Sequence, residues 1–186
     1  MRKELDEKLC ATYPLLFVDR YEDMTKTAMC WGFDCGDGWY PLINALCERL
    51  YARYNYTKSR LQHTEDGTFR YKDEAAKQWA LTKLQEELEQ EEKDIPIVFQ
   101  VKEKFGGLHF YTHPREGCSE GTRERAQQIV FIYECISYHV CEECSIMEGV
   151  TTEGNGWIKT LCPSCRAERD KRRQKLVQEK EIFELE

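Results

Sequence analysis

Nowhere in the 186 residues is there an apolar run approaching the roughly 20 residues needed to cross a bilayer as a helix, and the charged opening MRKELDEKLC has no apolar signal core. Those two absences lead us to expect an intracellular protein that does not span a membrane. A basic surplus is missing too. The 27 Lys and Arg stand against 34 Asp and Glu, for a formal net charge of −7. That balance argues against a general nucleic-acid coat while leaving room for a local basic face. The phosphate-cradling order GxxxxGK[ST] does not occur, and we find no internal repeat or long low-complexity tract. Charged residues at 33% and hydrophobic residues at 41% are ordinary for a globular chain, here long enough for one compact domain with an appendage or for two small ones.

Cysteine is what the chain has in quantity, with ten. In a reducing compartment these are expected to be free or metal-bound. Cys141, Cys144, Cys162 and Cys165 form a CxxC-x17-CxxC array. Each CxxC puts two sulfurs on one tight turn, and the spacing between the pairs falls in the range of a closed, four-thiolate zinc site. Four thiolates leave no open coordination position, so the expected cofactor is one structural Zn²⁺ that substitutes for a core a short ribbon cannot build. The alternatives are four metal-free thiols or two disulfides. His139, two residues ahead of Cys141, is a candidate substitute ligand, and Lys159 and Arg166 are candidate donors to the sulfurs of a cluster whose formal charge is about −2. Of the other cysteines, Cys10, Cys47 and Cys135 are expected to be buried as small apolar residues. Cys30 and Cys35 carry only the weak CxxxxC spacing of a second metal site, and Cys118 stands apart.

Periodicity predicts a short helix over 2–11 with Leu5 and Leu9 on one face, ended by Tyr13-Pro14. After an irregular stretch, Cys35 to Pro41 reads as a turn feeding a helix. Trp39, Leu42, Ile43, Leu46 and Leu50 recur at helical spacing to about Tyr54. Residues 55–72 are polar and read as an exposed excursion. A third helix is expected from Asp73 to Glu92 on a seam of Ala76, Ala80, Leu84 and Leu88, stopped by Pro96. Residues 97–101 and 108–111 are β-rich and flank a glycine turn, predicting a hairpin. Thr122 to about His139 is the most amphipathic stretch, with Ala126, Ile129, Val130, Tyr133 and Ile136 inward. A two-stranded ribbon is expected over roughly 140–165, and a last helix from Arg166 to about Phe183. The fold class is therefore α+β. Helices pack on a small antiparallel hairpin or sheet with a C-terminal four-cysteine zinc ribbon, divided as a body 1–138, a ribbon 139–166 and a charged helix 167–186.

Three surfaces invite a functional reading. In Gly36-Asp37-Gly38-Trp39, a carboxylate beside an aromatic at a helix start can hold a ligand, or Asp37 caps the helix and Trp39 anchors the core. In the hairpin, Lys102, Lys104 and the Gly106-Gly107 turn can receive an anion, or the glycines serve only a tight turn. Asp37, Trp39, Lys102, Lys104, Gly106, Gly107 and His109 together make up the candidate ligand surface. His109 and His113 could pair with Asp37, Glu103 or Cys118 for acid–base work, although no spacing supports it. Arg166, Arg169, Arg172 and Arg173, with Lys171 and Lys175, could grip a phosphate backbone or simply solvate a helix. Leu176, Ile182 and Phe183 hint that the far end docks on something apolar.

The segments Gly36-Asp37-Gly38-Trp39, Gln100-Val101-Lys102-Glu103-Lys104-Phe105-Gly106-Gly107-Leu108, and the ribbon with Gly156-Trp157 and Thr160-Leu161-Cys162 together resemble a family of small uncharacterised bacteriophage and prophage proteins. The resemblance implies an accessory protein in the cytoplasm of an infected bacterium. Such a protein would bind a host macromolecule or signalling ligand, for instance as a counter-defence inhibitor. More narrowly, the Cys spacing followed by a charged helix is similar to the zinc finger of DksA/TraR-type RNA-polymerase regulators. Those proteins carry acidic residues at a coiled-coil tip, whereas no long helical hairpin is expected here. Three functions follow as expectations: a non-catalytic binding protein, a nucleic-acid or RNA-polymerase-associated module, and an enzyme acting on a nucleotide or phosphorylated substrate.

Overall fold

The computed structural model describes residues 1–154 and 156–183, with side chains described through Glu179. It is α+β. Helix α1 (Lys3–Thr12) buries Leu9 and is followed by an irregular stretch with a 3-10 turn at Ala28–Trp31. That stretch sends Tyr13, Leu16, Phe17 and Met29 into the core and is also tied down by a buried ion pair. The Arg20 guanidinium donates to both oxygens of the buried Asp6, at 2.9 and 2.8 Å, and to the Cys30 carbonyl. Strand β1 (Phe33–Asp34) leads through a second 3-10 turn (Asp37–Trp39) into α2 (Tyr40–Glu65).

Helix α2 runs eleven residues past the expected stop at Tyr54, so 55–65 is helix rather than excursion. Its first half is held by Leu42, Ile43, Leu46, Cys47 and Tyr51 in the core. Its second half is held by α3 (Glu74–Asp94), which returns antiparallel along it. Arg53 reaches Glu91 and Arg60 reaches Glu87, and the buried Thr57 and Thr64 let the helices approach. A long helical hairpin therefore exists, contrary to expectation. Asp73 caps α3 by accepting from the Ala76 N–H at 2.8 Å.

Strands β2 (Ile97–Lys104) and β3 (Gly107–His113) form the predicted hairpin, longer than expected at both ends. They are joined through Phe105 and Gly106, both with positive φ. The two-residue β1 adds in parallel to β2, giving a sheet of order β1-β2-β3. Helix α4 (Thr122–Ser137) covers one sheet face with Ala126 and Val130 and also closes an edge. The Ser137 hydroxyl accepts from Leu108 N–H and Glu134 from Phe110 N–H, so these two outer donors of β3 are not open to another strand. One core spans α1, α2, the sheet and α4, with Leu9, Leu16, Ile43, Leu46, Val98 and Val101 at its centre. Beyond it, β4 (Thr151–Glu153) pairs with β5 (Lys159–Leu161), and α5 (Pro163–Phe183) follows. Every described residue of α5 from Lys171 to Glu179 is exposed, Leu176 and Val177 among them. Ile182 and Phe183 lie outside the described side chains. Among the described residues no helix is long and apolar enough to cross a membrane.

Candidate metal centre

The first CxxC lies on the turn after α4, where Cys141 N–H donates to the Ile146 carbonyl and its own carbonyl accepts from Ser145. The second lies where β5 runs into α5. The Cys162 carbonyl receives the Arg166 N–H, so Cys162 caps α5 and Cys165 sits in its first turn, near the positive end of the helix dipole. The four sulfurs converge within 4.8 Å of one another, and Cys144 and Cys162 are 3.6 Å apart. A tetrahedron of sulfurs about 2.3 Å from zinc has edges of about 3.8 Å, so the donor set fits an ion with a contraction of at most about 1 Å. None of the ten cysteines is in a disulfide. Cys141 and Cys162 are buried, Cys165 half-buried and Cys144 exposed. Hydrogen bonds from the Ser164 hydroxyl and the Cys165 N–H pull the Cys162 thiol down to about 6. The Cys144 sulfur takes the Ile146 N–H. The sulfurs thus receive backbone and hydroxyl donors, and the expected donors Lys159 and Arg166 are engaged elsewhere. His139 is exposed and outside the cluster.

Lys159 carries the joint between ribbon and body. Its ammonium lies 2.7 Å from Glu142 Oε1 and 3.1 Å from Glu103 Oε2, and the two carboxylate side chains are 1% and 5% exposed. Glu142 also accepts from Gly36 N–H at 2.9 Å, and Glu103 from Gly106 N–H and the Trp157 indole. Burial pushes Glu142 up, and Lys159 and the Gly36 N–H do not fully offset it. Burial pushes Glu103 up as well, but the Gly106 N–H, Lys159 and Trp157 together take it below the usual carboxylate range. Burial lowers Lys159, and its two carboxylates more than restore it.

Around this charge network, ribbon and body are joined through main-chain carbonyls, one served by a backbone N–H and three by side chains. The Gly38 N–H donates to the Glu142 carbonyl, Ser145 to the Gly38 carbonyl, Trp39 Nε1 to the Val140 carbonyl and the Thr160 hydroxyl to the Gly106 carbonyl. A Cβ on Gly38 would stand 2.3 Å from the Cys141 carbonyl oxygen, and one on Gly106, already at φ +81, 2.5 Å from the Thr152 methyl. The glycines of both motifs are therefore where the metal turn seats on the body.

The candidate ligand surface is distributed around this joint. Trp39 is fully buried. Asp37 does not cap α2, whose N-cap receives no side-chain bond; it pairs with Arg2. The Gly106 N–H faces Glu103, and Gly107 packs on the Tyr138 hydroxyl. Lys102 lies over Tyr111, Lys104 over Phe105, and His109 stacks with Tyr111. His113 stacks with Phe99. Arg166 is spent on the Thr151, Glu153 and Lys159 carbonyls and on Glu153's carboxylate, and Arg169 on the Trp157 carbonyl. Arg172 is exposed, as is Arg173, which does have an interaction partner. Cys30 donates its thiol proton to the Thr27 carbonyl, and among the described residues the metal-capable cluster is that of the four ribbon cysteines. Cys10 and Cys47 are buried as expected, but Cys135 is exposed because it lies on the outer face of α4. Sequence reasoning missed Glu103, Glu142 and Lys159 as a unit; the alternating charges of 102–104 were its one local signal. No family model, no curated protein and no solved structure matches the chain.

Proposed function

We propose that this is a non-catalytic binding protein in which one structural Zn²⁺, held by Cys141, Cys144, Cys162 and Cys165, locks the ribbon onto the β2–β3 hairpin and so presents a rigid surface to a protein partner. A four-sulfur tetrahedral donor set suits zinc, and four protein ligands leave no position for a reacting water. Of the groups the sequence offered for acid–base chemistry, both carboxylates are held in ion pairs, Asp37 with Arg2 and Glu103 with Lys159. The observation that carries the reading is an exposed aromatic pair. Phe105 at the hairpin tip and Trp157 on the ribbon turn are 68% and 67% exposed, and both border a shallow cleft of about 250 Å³. Rigid exposed aromatics are the residues that most often carry protein–protein affinity. The resemblance to bacteriophage accessory proteins suggests a host protein in the bacterial cytoplasm as the partner.

Immobilised full-length protein and its Phe105→Ala/Trp157→Ala variant, exposed to bacterial lysate with and without nuclease over a salt series, test this. A host protein retained by the native chain, lost by the variant, and reproduced with purified components is the expected result. Retention of nucleic acid alone, lost at moderate salt as counterions are released, would overturn it in favour of the basic helix.

A further inference from the structure

Helix α4 is apolar on two sides and covered on one. Ala126 and Val130 turn into the body, whereas Phe131, Ile132 and Tyr138 on the outer side are 65%, 55% and 39% exposed, with the exposed Cys135 among them. Their spacing sets them in one stripe along the helix. Between Arg125 and Glu142 the chain holds a single charged residue, Glu134, and that side chain is half-buried against the Phe110 N–H. In a chain that is 33% charged, an exposed stripe of this length without a charge has the composition of an interface core. The apolar surface runs on beyond the helix. Ile132 also walls a cleft of about 480 Å³ with Leu50 and Tyr54 of α2 and with Ile129 and Tyr133, and no described residue of the ribbon or of α5 lines it.

Charge is confined to the two ends of the stripe and differs in sign between them. Arg123 and Arg125 are exposed on the first turn of α4, where Glu124 leaves the end net positive. Glu143 is exposed just past the other end. Among the described residues Arg123, Arg125 and Glu143 form no ion pair. Arg125 and Glu143 lie nine positions before and nine after Glu134. A two-fold contact must be complementary to itself. An antiparallel pairing of this stripe with its own copy sets the positive end of each helix beside the Glu143 end of the other, whereas a parallel pairing would set like charge on like.

We propose that the occupant of this face is a second copy of the chain, in a two-fold dimer with α4 packed antiparallel on α4. Phe131, Ile132 and Cys135 of both copies meet around the axis, and Arg125 of each faces Glu143 of the other. A helix that is apolar all round is then covered all round. This face is separate from the Phe105 and Trp157 surface, and either can fail without the other.

Sedimentation velocity of the full-length protein from about 1 μM to about 100 μM tests it. The expected result is a shift from the mass of one chain to that of two as concentration rises. Phe131→Glu/Ile132→Glu, at exposed positions, stays a monomer throughout. Arg125→Glu weakens association about tenfold, two ion pairs being lost per dimer, and adding Glu143→Arg restores it. Unaltered circular dichroism shows that the variants fold. A short bismaleimide joins two native chains through Cys135 of each, as read by peptide mass spectrometry. A native chain that remains a monomer would leave the stripe to a different protein and overturn the proposal. So would a dimer that Phe131→Glu/Ile132→Glu retains, one that does not cross-link through Cys135, or an exchange of Arg125 and Glu143 that fails to restore association.

Discussion

Replacing Lys159 by methionine is the sharpest probe of how the ribbon is held. The substitution keeps an unbranched apolar stem and removes the one cation between Glu142 and Glu103, whose side chains are 1% and 5% exposed. Two buried carboxylates are then left facing each other. Removing one partner of a buried pair costs about 3–5 kcal/mol. The low end applies here, because Glu142 already sits above its ordinary value through burial and can take up a proton. A loss of about 3 kcal/mol lowers the melting temperature by about 6–12 °C in a chain of this size. The sign of the pH dependence follows from the same group. Without Lys159 the folded-state value of Glu142 rises further above its unfolded value, so the folded variant binds a proton more tightly than the unfolded chain. The penalty is therefore fully present at pH 8 and shrinks as pH falls through the raised value. Urea denaturation of both proteins at pH 8 and pH 5.5, followed by circular dichroism, reads the difference. A variant within about 0.5 kcal/mol of the native chain, no more than a surface change, would refute the reasoning, as would a penalty that grows on acidification. Adding Glu142→Gln and Glu103→Gln to Lys159→Met should recover much of the loss, because neutral side chains carry no buried charge.

Trp39→Phe keeps the ring in the core but strands the Val140 carbonyl that Trp39 Nε1 serves at 2.9 Å, and should cost about 1–3 kcal/mol in urea denaturation. Alkylation at pH 8 should label the exposed Cys135 first. Cys10 and Cys35, pushed up to about 12 by burial, and Cys47, pushed well above its ordinary value, should react only on unfolding, as read by peptide mass spectrometry. Burial raises Asp94, but the Ser119 N–H and Gln90 overcome it and hold the folded carboxyl below its ordinary value. Its contribution is therefore present above the unfolded value of about 3.9 and lost as pH falls through the lower folded value. Asp94→Asn should be less stable than the native chain at pH 7 by about 1–2 kcal/mol, with the gap closing below pH 4, in paired urea titrations.

What was legible in the sequence is what local spacing encodes. The seams of α3 and α4 follow from apolar recurrence, and Ala76, Ala80, Leu84 and Leu88 do turn inward, as do Ala126 and Val130. The cysteine array follows from two CxxC turns, and its four sulfurs do converge. The second half of α2 was hidden because its partners are charges on another helix. Arg53 and Arg60 find Glu91 and Glu87 only once the chain has doubled back, so the segment reads as polar coil. Strand β1 is two residues long and has no periodicity to show. The glycines of both motifs signalled a turn or an anion nest, whereas Gly38 is required by the Cys141 carbonyl, which comes from the far end of the chain. Lys159 meets Glu142 and Glu103 from two other segments, a meeting that no spacing rule reaches.

The central claim is that the four ribbon cysteines hold one zinc ion that fastens the ribbon to the body. Metal analysis of the purified full-length protein, by native mass spectrometry together with elemental analysis, tests it most directly when compared with Cys141→Ser. The account predicts one zinc per chain, four fewer alkylatable thiols in the native protein than after chelation, and loss of both in the variant. A native chain that carries no metal after purification without chelators, or whose ribbon cysteines are paired as disulfides, would contradict it.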